Sequence, residues 1–155
     1  VDSTESNSPL IGVAWTAGII DADGFVSYRH PRPQIRHCWN PIVGVDSTDP
    51  EILSYLAEVN GSNNIVKKAK RADHHRQCWT WRVYGSDQVI ELLSRIRPYM
   101  HCPSKAKRSD LLIERFRACT PRNGYYSPQL IEDKLALLAE FKSIGAGRGS
   151  QCRAS

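Results

Sequence analysis

The sequence has no Cys-x-x-Cys pair. Its five cysteines, Cys38, Cys78, Cys102, Cys119 and Cys152, are scattered and odd in number. This excludes the usual structural zinc spacings, and free thiols fit an intracellular, reducing compartment. No stretch reaches the ~18 consecutive apolar residues of a membrane span, so no membrane partner is expected. The opening residues, VDSTESNS, are polar and acidic, unlike a signal or transit peptide. Charge of one sign is only in modest excess: 21 Lys and Arg against 16 Asp and Glu, a net +5 and a pI near 9.1. That tilts the chain toward polyanionic partners without specifying one. There is no internal repeat. Asp-x-Asp-Gly occurs once, and Asp46-Ser47-Thr48-Asp49 is not a second copy. Two His-Cys neighbours, His37-Cys38 and His101-Cys102, are weak candidates for nucleophilic catalysis, because adjacent residues on a strand point to opposite faces.

What is present is organised around WTAGIIDADG, residues 15–24. Ser8-Pro9 signals a helix start, and Leu10 to Ile20 are apolar or small, with Gly12, Ala14, Ala17 and Gly18 interspersed. Small residues on one helical face let another backbone approach closely. Asp21 and Asp23 then fall at the helix C-terminus, the negative end of its dipole, where a compensating cation is needed. Hard divalent ions take such oxygen ligands.

After Gly24 the period changes. Residues 25–30 read as a strand, broken by Pro31-Arg32-Pro33. Residues 34–45 read as a second strand, with Ile35, Trp39, Val43 and Val45 on one face and Gln34, Arg36, Cys38, Asn40 and Gly44 on the other. Pro41 predicts a bend or bulge within it. Thr48 or Asp49 can cap a helix with Pro50 in its first turn, which Asn60-Gly61 closes. Residues 64–71 and 77–84 read as a hairpin, with Trp79, Trp81 and Val83 alternating against Cys78, Thr80 and Arg82. The tryptophans on this parity are expected in the core rather than as base-stacking platforms. Helices follow over residues 88–95, 105–119 and 129–144. The expected layout is a lead-in over 1–8, a single domain over 9–144 and a mobile Gly/Ser/Arg tail over 145–155.

Thr16 to Gly24, TAGIIDADG, closely resembles the LAGLIDADG motif, with seven of nine positions identical and Thr16 and Ile19 in place of the two leucines. The resemblance implies an α+β, αββαββα fold with a four-stranded antiparallel saddle-like sheet and, here, extra C-terminal helices. It also implies a homing endonuclease. One copy of the motif helix in a chain implies a homodimer, since a two-fold axis sets the same patch against itself. Gly12, Trp15, Ala17, Gly18 and Asp21 are the interface candidates. Pairing brings the two Asp23 carboxylates near the axis, where like charges repel unless cations lie between them. The implied chemistry is metal-dependent hydrolysis of both strands of a long pseudo-palindromic DNA site, leaving short 3′ overhangs. Asp23 and the Ala22 carbonyl are the implied metal ligands. Mg²⁺ is the expected ion, Mn²⁺ a substitute, and Ca²⁺ an ion that binds without supporting cleavage. Lys105 and Lys107 are the candidates for a basic residue near the centre, and Asp46 for a water-positioning one.

In that family the sheet reads DNA. Ser27, Arg29, Gln34, Arg36, Asn40, Lys68, Lys70 and Arg82 are assigned to base-edge contact, Arg and Lys suiting guanine and Asn and Gln adenine. Arg32 and His75 belong to loops and suit phosphates. With no splicing-domain residues around the motif, a free-standing, intron-encoded protein is expected. The alternative reading is a non-cleaving nucleic-acid binder on the same fold, such as an RNA maturase, with the host intron RNA as its partner.

Overall fold

The computed structural model describes residues 8–145. The expectations for residues 1–7 and 146–155, including Cys152, lie outside the described residues. Helix α1 (Ser8–Asp23) runs directly into strand β1 (Gly24–Arg29), which is followed by β2 (Asn40–Ser47), α2 (Pro50–Asn60), β3 (Ile65–Lys67), β4 (Trp79–Val83) and α3 (Ser86–Ile96). A 3₁₀ turn, Arg97–Tyr99, leads to α4 (Pro103–Leu111), which continues through a π-helical segment, Leu112–Phe116, and a further 3₁₀ turn, Arg117–Cys119. Helix α5 (Pro128–Ser143) is the last. The fold is thus α+β, with the expected αββαββα order followed by extra helices.

Local chemistry sets several boundaries. Asp49 caps α2 by accepting from the Glu51 amide at 3.0 Å, with Pro50 in the first turn and Gly61 (φ 66°) just past the end. Ser127 caps α5 in the same way, accepting from the Leu130 amide.

The sheet is antiparallel in the order β1-β2-β4-β3. One face carries Val26, Val43, Val45, Trp81 and Val83, all buried against Ala17 and Ile20 of α1, Leu53 and Leu56 of α2 and Val89 and Leu93 of α3. A neighbouring cluster of Trp39, Phe116, Leu137, Leu138 and Phe141 seats α5 against the rest. Trp39 and Trp81 are core residues, as parity indicates. Their indole N–H groups donate to the Lys134 and Ser62 carbonyls.

Three expectations are corrected. The second strand begins at Asn40, not at residue 34. Pro31 and Pro33 lack ladder donors, and the chain coils instead through turns closed by Ile35 N–H to Arg32 and Cys38 N–H to Ile35, both 2.9 Å. Gln34 and Arg36 therefore stand in a loop, not on a strand face. No bulge occurs at Pro41: register runs unbroken from Gly24↔Val45 to Arg29↔Asn40. The β2–β4 ladder starts only at Val43, so Pro41 lies where β2 is paired on one side alone. The hairpin strands are also shorter than read. Beyond Lys67 one backbone bond remains, Lys68 N–H to the Cys78 carbonyl at 2.9 Å, and the Gln77 side-chain amide adds to it, donating to the Lys68 and Cys78 carbonyls at 2.7 and 2.9 Å.

Candidate active site and nucleic-acid face

The end of α1 and the start of α4 cap each other. The Asp21 carboxylate accepts the backbone N–H groups of His101 (2.6 Å) and Cys102 (3.2 Å), the residues that lead into α4. In return, Lys105 Nζ donates to the carbonyls of Ile20 (2.8 Å) and Asp21 (2.7 Å) in the last turn of α1. Each group meets the helix end whose dipole suits its charge, and each satisfies backbone atoms that the helix leaves unpaired. Cys102, at the N-cap of α4, has its thiol pKa lowered by the Lys105 backbone amide first, and by the Ser104 hydroxyl and the Lys105 charge.

Asp23, by contrast, is exposed, as is Ala22. Gly24 is required by packing: a Cβ there would lie 2.6 Å from Ile20 Cα, 2.9 Å from Ile20 O and 3.0 Å from Gly44 O. The motif glycine is where a helix becomes a strand with no intervening residue.

Asp46 lies one residue beyond the Gly24↔Val45 pair, near the end of the inner strand β2 and opposite Thr80 of β4. Its carboxylate accepts from Lys68 Nζ at 2.5 Å and from the Thr80 hydroxyl. Burial works to raise its pKa, but the Lys68 and Thr80 hydrogen bonds and the charges of Lys68 and Arg82 outweigh it and hold the group below the usual carboxylate range. Asp46 is therefore an acceptor at neutral pH, suited to orienting a hydrogen-bond donor rather than to giving up a proton.

The sheet face turned away from α1–α3 carries Ser27 and Arg29 of β1, Asn40 and Asp46 of β2, and Thr80 and Arg82 of β4, grouped by register. Lys68 joins them through Asp46. Lys70 and His75 are exposed in the β3–β4 connection, where they and Arg71, Arg76 and Arg82 line a groove of about 460 Å³. Arg32, Gln34 and Arg36 are exposed in the β1–β2 connection. The floor is not wholly polar. Phe25 lies across Gly44, where a Cβ would meet its ring at 2.5 Å and the Trp81 carbonyl at 2.6 Å, and Ile42 is buried on this same face. Tyr84 and Phe25 were not singled out from sequence. The available signal was their period-two spacing from Arg82 and Ser27.

Helix α1 divides the interface candidates. Ala17 is fully buried within its own chain, and Gly12 packs on α2, a Cβ there lying 2.7 Å from Val59 Cγ1. Neither is free to meet a second molecule, which corrects that part of the assignment. The small size of Gly12 serves the α1–α2 contact, which is tied further by Asn60 donating to the Thr16 hydroxyl at 3.0 Å. Trp15 is half-buried, edge-on to Tyr55 at 4.7 Å. Gly18 faces open space, and Ile11, Gly18 and Ala22 form an exposed stripe with Trp15 at helical spacing. Lys107 is exposed and two residues from Lys105, on another side of α4, so only Lys105 reaches the end of α1.

Among the described residues no three His, Cys, Asp or Glu side chains converge as a metal site. One chain thus offers the Asp23 carboxylate and the Ala22 carbonyl, which Lys105 leaves free by taking the two carbonyls before it. Hard oxygen donors in such small number fit an ion that keeps waters and takes substrate phosphate oxygens, as Mg²⁺ does. Among the described residues no helix is long and apolar enough to cross a membrane.

The fold is similar to that of the homing endonuclease I-CvuI in complex with a DNA target (TM-score 0.68, 19% identity, covering 89% of this chain and 84% of that one). It is similar also to the homing endonuclease I-TnaI (TM-score 0.60, 14% identity, 86% and 87% covered). I-SmaMI, bound to uncleaved DNA with calcium, matches at TM-score 0.61 and 18% identity, covering 85% of this chain but 45% of that one. Another I-SmaMI structure, bound to cleaved DNA, is described as a LAGLIDADG homing endonuclease. The chain has the LAGLIDADG homing-endonuclease fold. No protein-family model and no curated protein matches it.

Proposed function

We propose that this chain is a LAGLIDADG homing endonuclease that cuts both strands of a long, nearly palindromic DNA site as a homodimer, with Mg²⁺ as its metal. The observation that carries this reading is the end of α1: an intact Asp-Ala-Asp-Gly in which Asp21 is engaged in capping while Asp23 is left exposed beside a basic sheet face. A pure binder gains nothing from an unneutralised acid next to phosphate.

The geometry supports the following roles. The stripe Ile11, Trp15, Gly18 and Ala22 would pair two α1 helices, bringing both Asp23 carboxylates to the axis. Asp23 and the Ala22 carbonyl would hold the ion, which when bound activates water and neutralises the leaving oxygen. Lys105 fixes the last turn of α1, and so the position of Asp23, while adding positive charge near the scissile phosphate. Asp46, held ionised by Lys68 and Thr80, would orient water. Arg29, Asn40 and Arg82 would face base edges, and Arg32, Lys70 and His75 would meet phosphates, which supply affinity without sequence information.

The test is cleavage of a plasmid library with Mg²⁺ by the wild-type protein and by Asp23→Asn. Cleavage by the wild type alone, with DNA binding kept in both, is the expected result. If neither cuts and both bind RNA tightly, the maturase reading replaces this one.

A further inference from the structure

Tyr84 connects two arginines that the sequence assigns separately to base reading. Val43 pairs with Val83, so Tyr84 falls opposite Ile42 on the outer sheet face, two residues from Arg82. Its hydroxyl accepts a hydrogen bond from Arg82 Nη1 at 3.0 Å. Its ring lies under the Arg29 guanidinium, 4.7 Å from Cζ to the ring centroid. Arg29 comes from β1 and Arg82 from β4, and β2 runs between them. One aromatic side chain thus links arginines on either side of β2, at the register position opposite Ile42, which is 8% exposed.

The two contacts act differently. A guanidinium held over an aromatic face by its charge keeps its N–H groups available to pair with guanine O6 and N7. Arg82 is held by one terminal nitrogen, and its Nε is buried without a partner among the described residues. An untethered arginine surrenders much of its rotamer freedom on binding, whereas one held in place beforehand surrenders less.

We infer that Tyr84 is a specificity-positioning residue: its ring presets Arg29 and its hydroxyl presets Arg82 for reading two separate base pairs. This rests on the functional reading above.

The test is selection of duplexes from a randomised DNA pool by the full chain with Ca²⁺, followed by sequencing. Wild type is compared with Arg29→Ala, Arg82→Ala, Tyr84→Phe and Tyr84→Leu. The two arginine variants identify the base pair that each side chain reads. Tyr84→Phe keeps the ring and removes the acceptor. Discrimination should fall roughly tenfold at the Arg82 position and stay at the Arg29 position. Tyr84→Leu should lose both. The salt dependence of binding should match wild type in both variants, because no phosphate contact is removed. Unchanged preference in Tyr84→Leu overturns the inference. So does an equal loss at both positions in the near-isosteric Tyr84→Phe, or an arginine variant with no effect on specificity. A wild-type protein that enriches no sequence defeats the DNA-cleaving reading itself, whereas a sharp wild-type preference indifferent to Tyr84 defeats this inference alone.

Discussion

Lys105 and Lys107 are two positions apart and identical in type, and nothing in the sequence separates them. The structure does: Lys105 reaches the Ile20 and Asp21 carbonyls, and Lys107 is exposed on another side of α4. Lys105→Met should lower stability by about 1.5–3 kcal/mol, the loss of charged hydrogen bonds to helix carbonyls, and should slow cleavage by loosening the last turn of α1. Lys107→Met should stay within about 0.5 kcal/mol of wild type and cleave normally. Urea unfolding and cleavage time courses of the two variants give both comparisons. Asp21 teaches the same lesson. Its carboxylate was legible as one needing a positive partner, but that partner is the backbone amides of His101 and Cys102, some 80 residues along the chain. Pairing over that separation leaves no local trace.

At the scale of elements, period carried most of the reading. The alternation of Val43 and Val45, and of Trp81 and Val83, marked the core face, and proline and glycine marked where α2 starts and stops. What failed was extent. Polar alternation from Gln34 looked like strand, but prolines at 31 and 33 deny that segment its ladder and it folds into turns. The faces of α1 could not be separated either. The helix has no charged residue before Asp21, so its sequence marks no polar face, and the pattern cannot tell the side its own chain covers from the side it leaves open. Its own chain covers Ala17 and Gly12 and leaves Ile11 and Gly18 open. The two glycines should therefore respond differently. Gly12→Val crowds Val59 and should destabilise the folded chain by about 1–3 kcal/mol. A Cβ at Gly18 has nothing within 4 Å among the described residues, so Gly18→Leu should leave the fold intact, but it should shift a dimer to monomer. Sedimentation velocity beside thermal melts separates the two effects.

Among the described residues, Lys134 is the one Lys, Arg, Asp or Glu side chain that is buried. Lys134 is 1% exposed, its ammonium 3.8 Å from the centre of the Phe116 ring and hydrogen-bonded to Thr120 and Tyr126. Burial lowers its pKa from 10.5 to about 8, against the smaller opposing pull of Cys119 and Cys38. Below pH 8 both folded and unfolded chains carry this proton, and the whole burial penalty is present. Between about 8 and 10.5 the unfolded chain holds a proton that the folded one lacks, so this group makes stability rise with pH, by roughly 3 kcal/mol across the window. Burial raises the Cys119 and Tyr126 pKa values, which works in the opposite direction. Urea midpoints of wild type and Lys134→Met at pH 7.5 and pH 10 isolate the lysine, because both other groups remain in each protein. The wild type should gain more on going alkaline.

Helix α1 ends at Asp23 and β1 begins at Gly24, with no residue of slack between them. A rotation of the helix about its own axis is therefore geared directly to the sheet. Under the proposed pairing, the angle at which two α1 helices cross sets the curvature offered to the duplex. A substitution on the stripe of α1 that changes this angle would then alter which DNA spacing the protein accepts, although it lies on a different face from the side chains proposed to read bases.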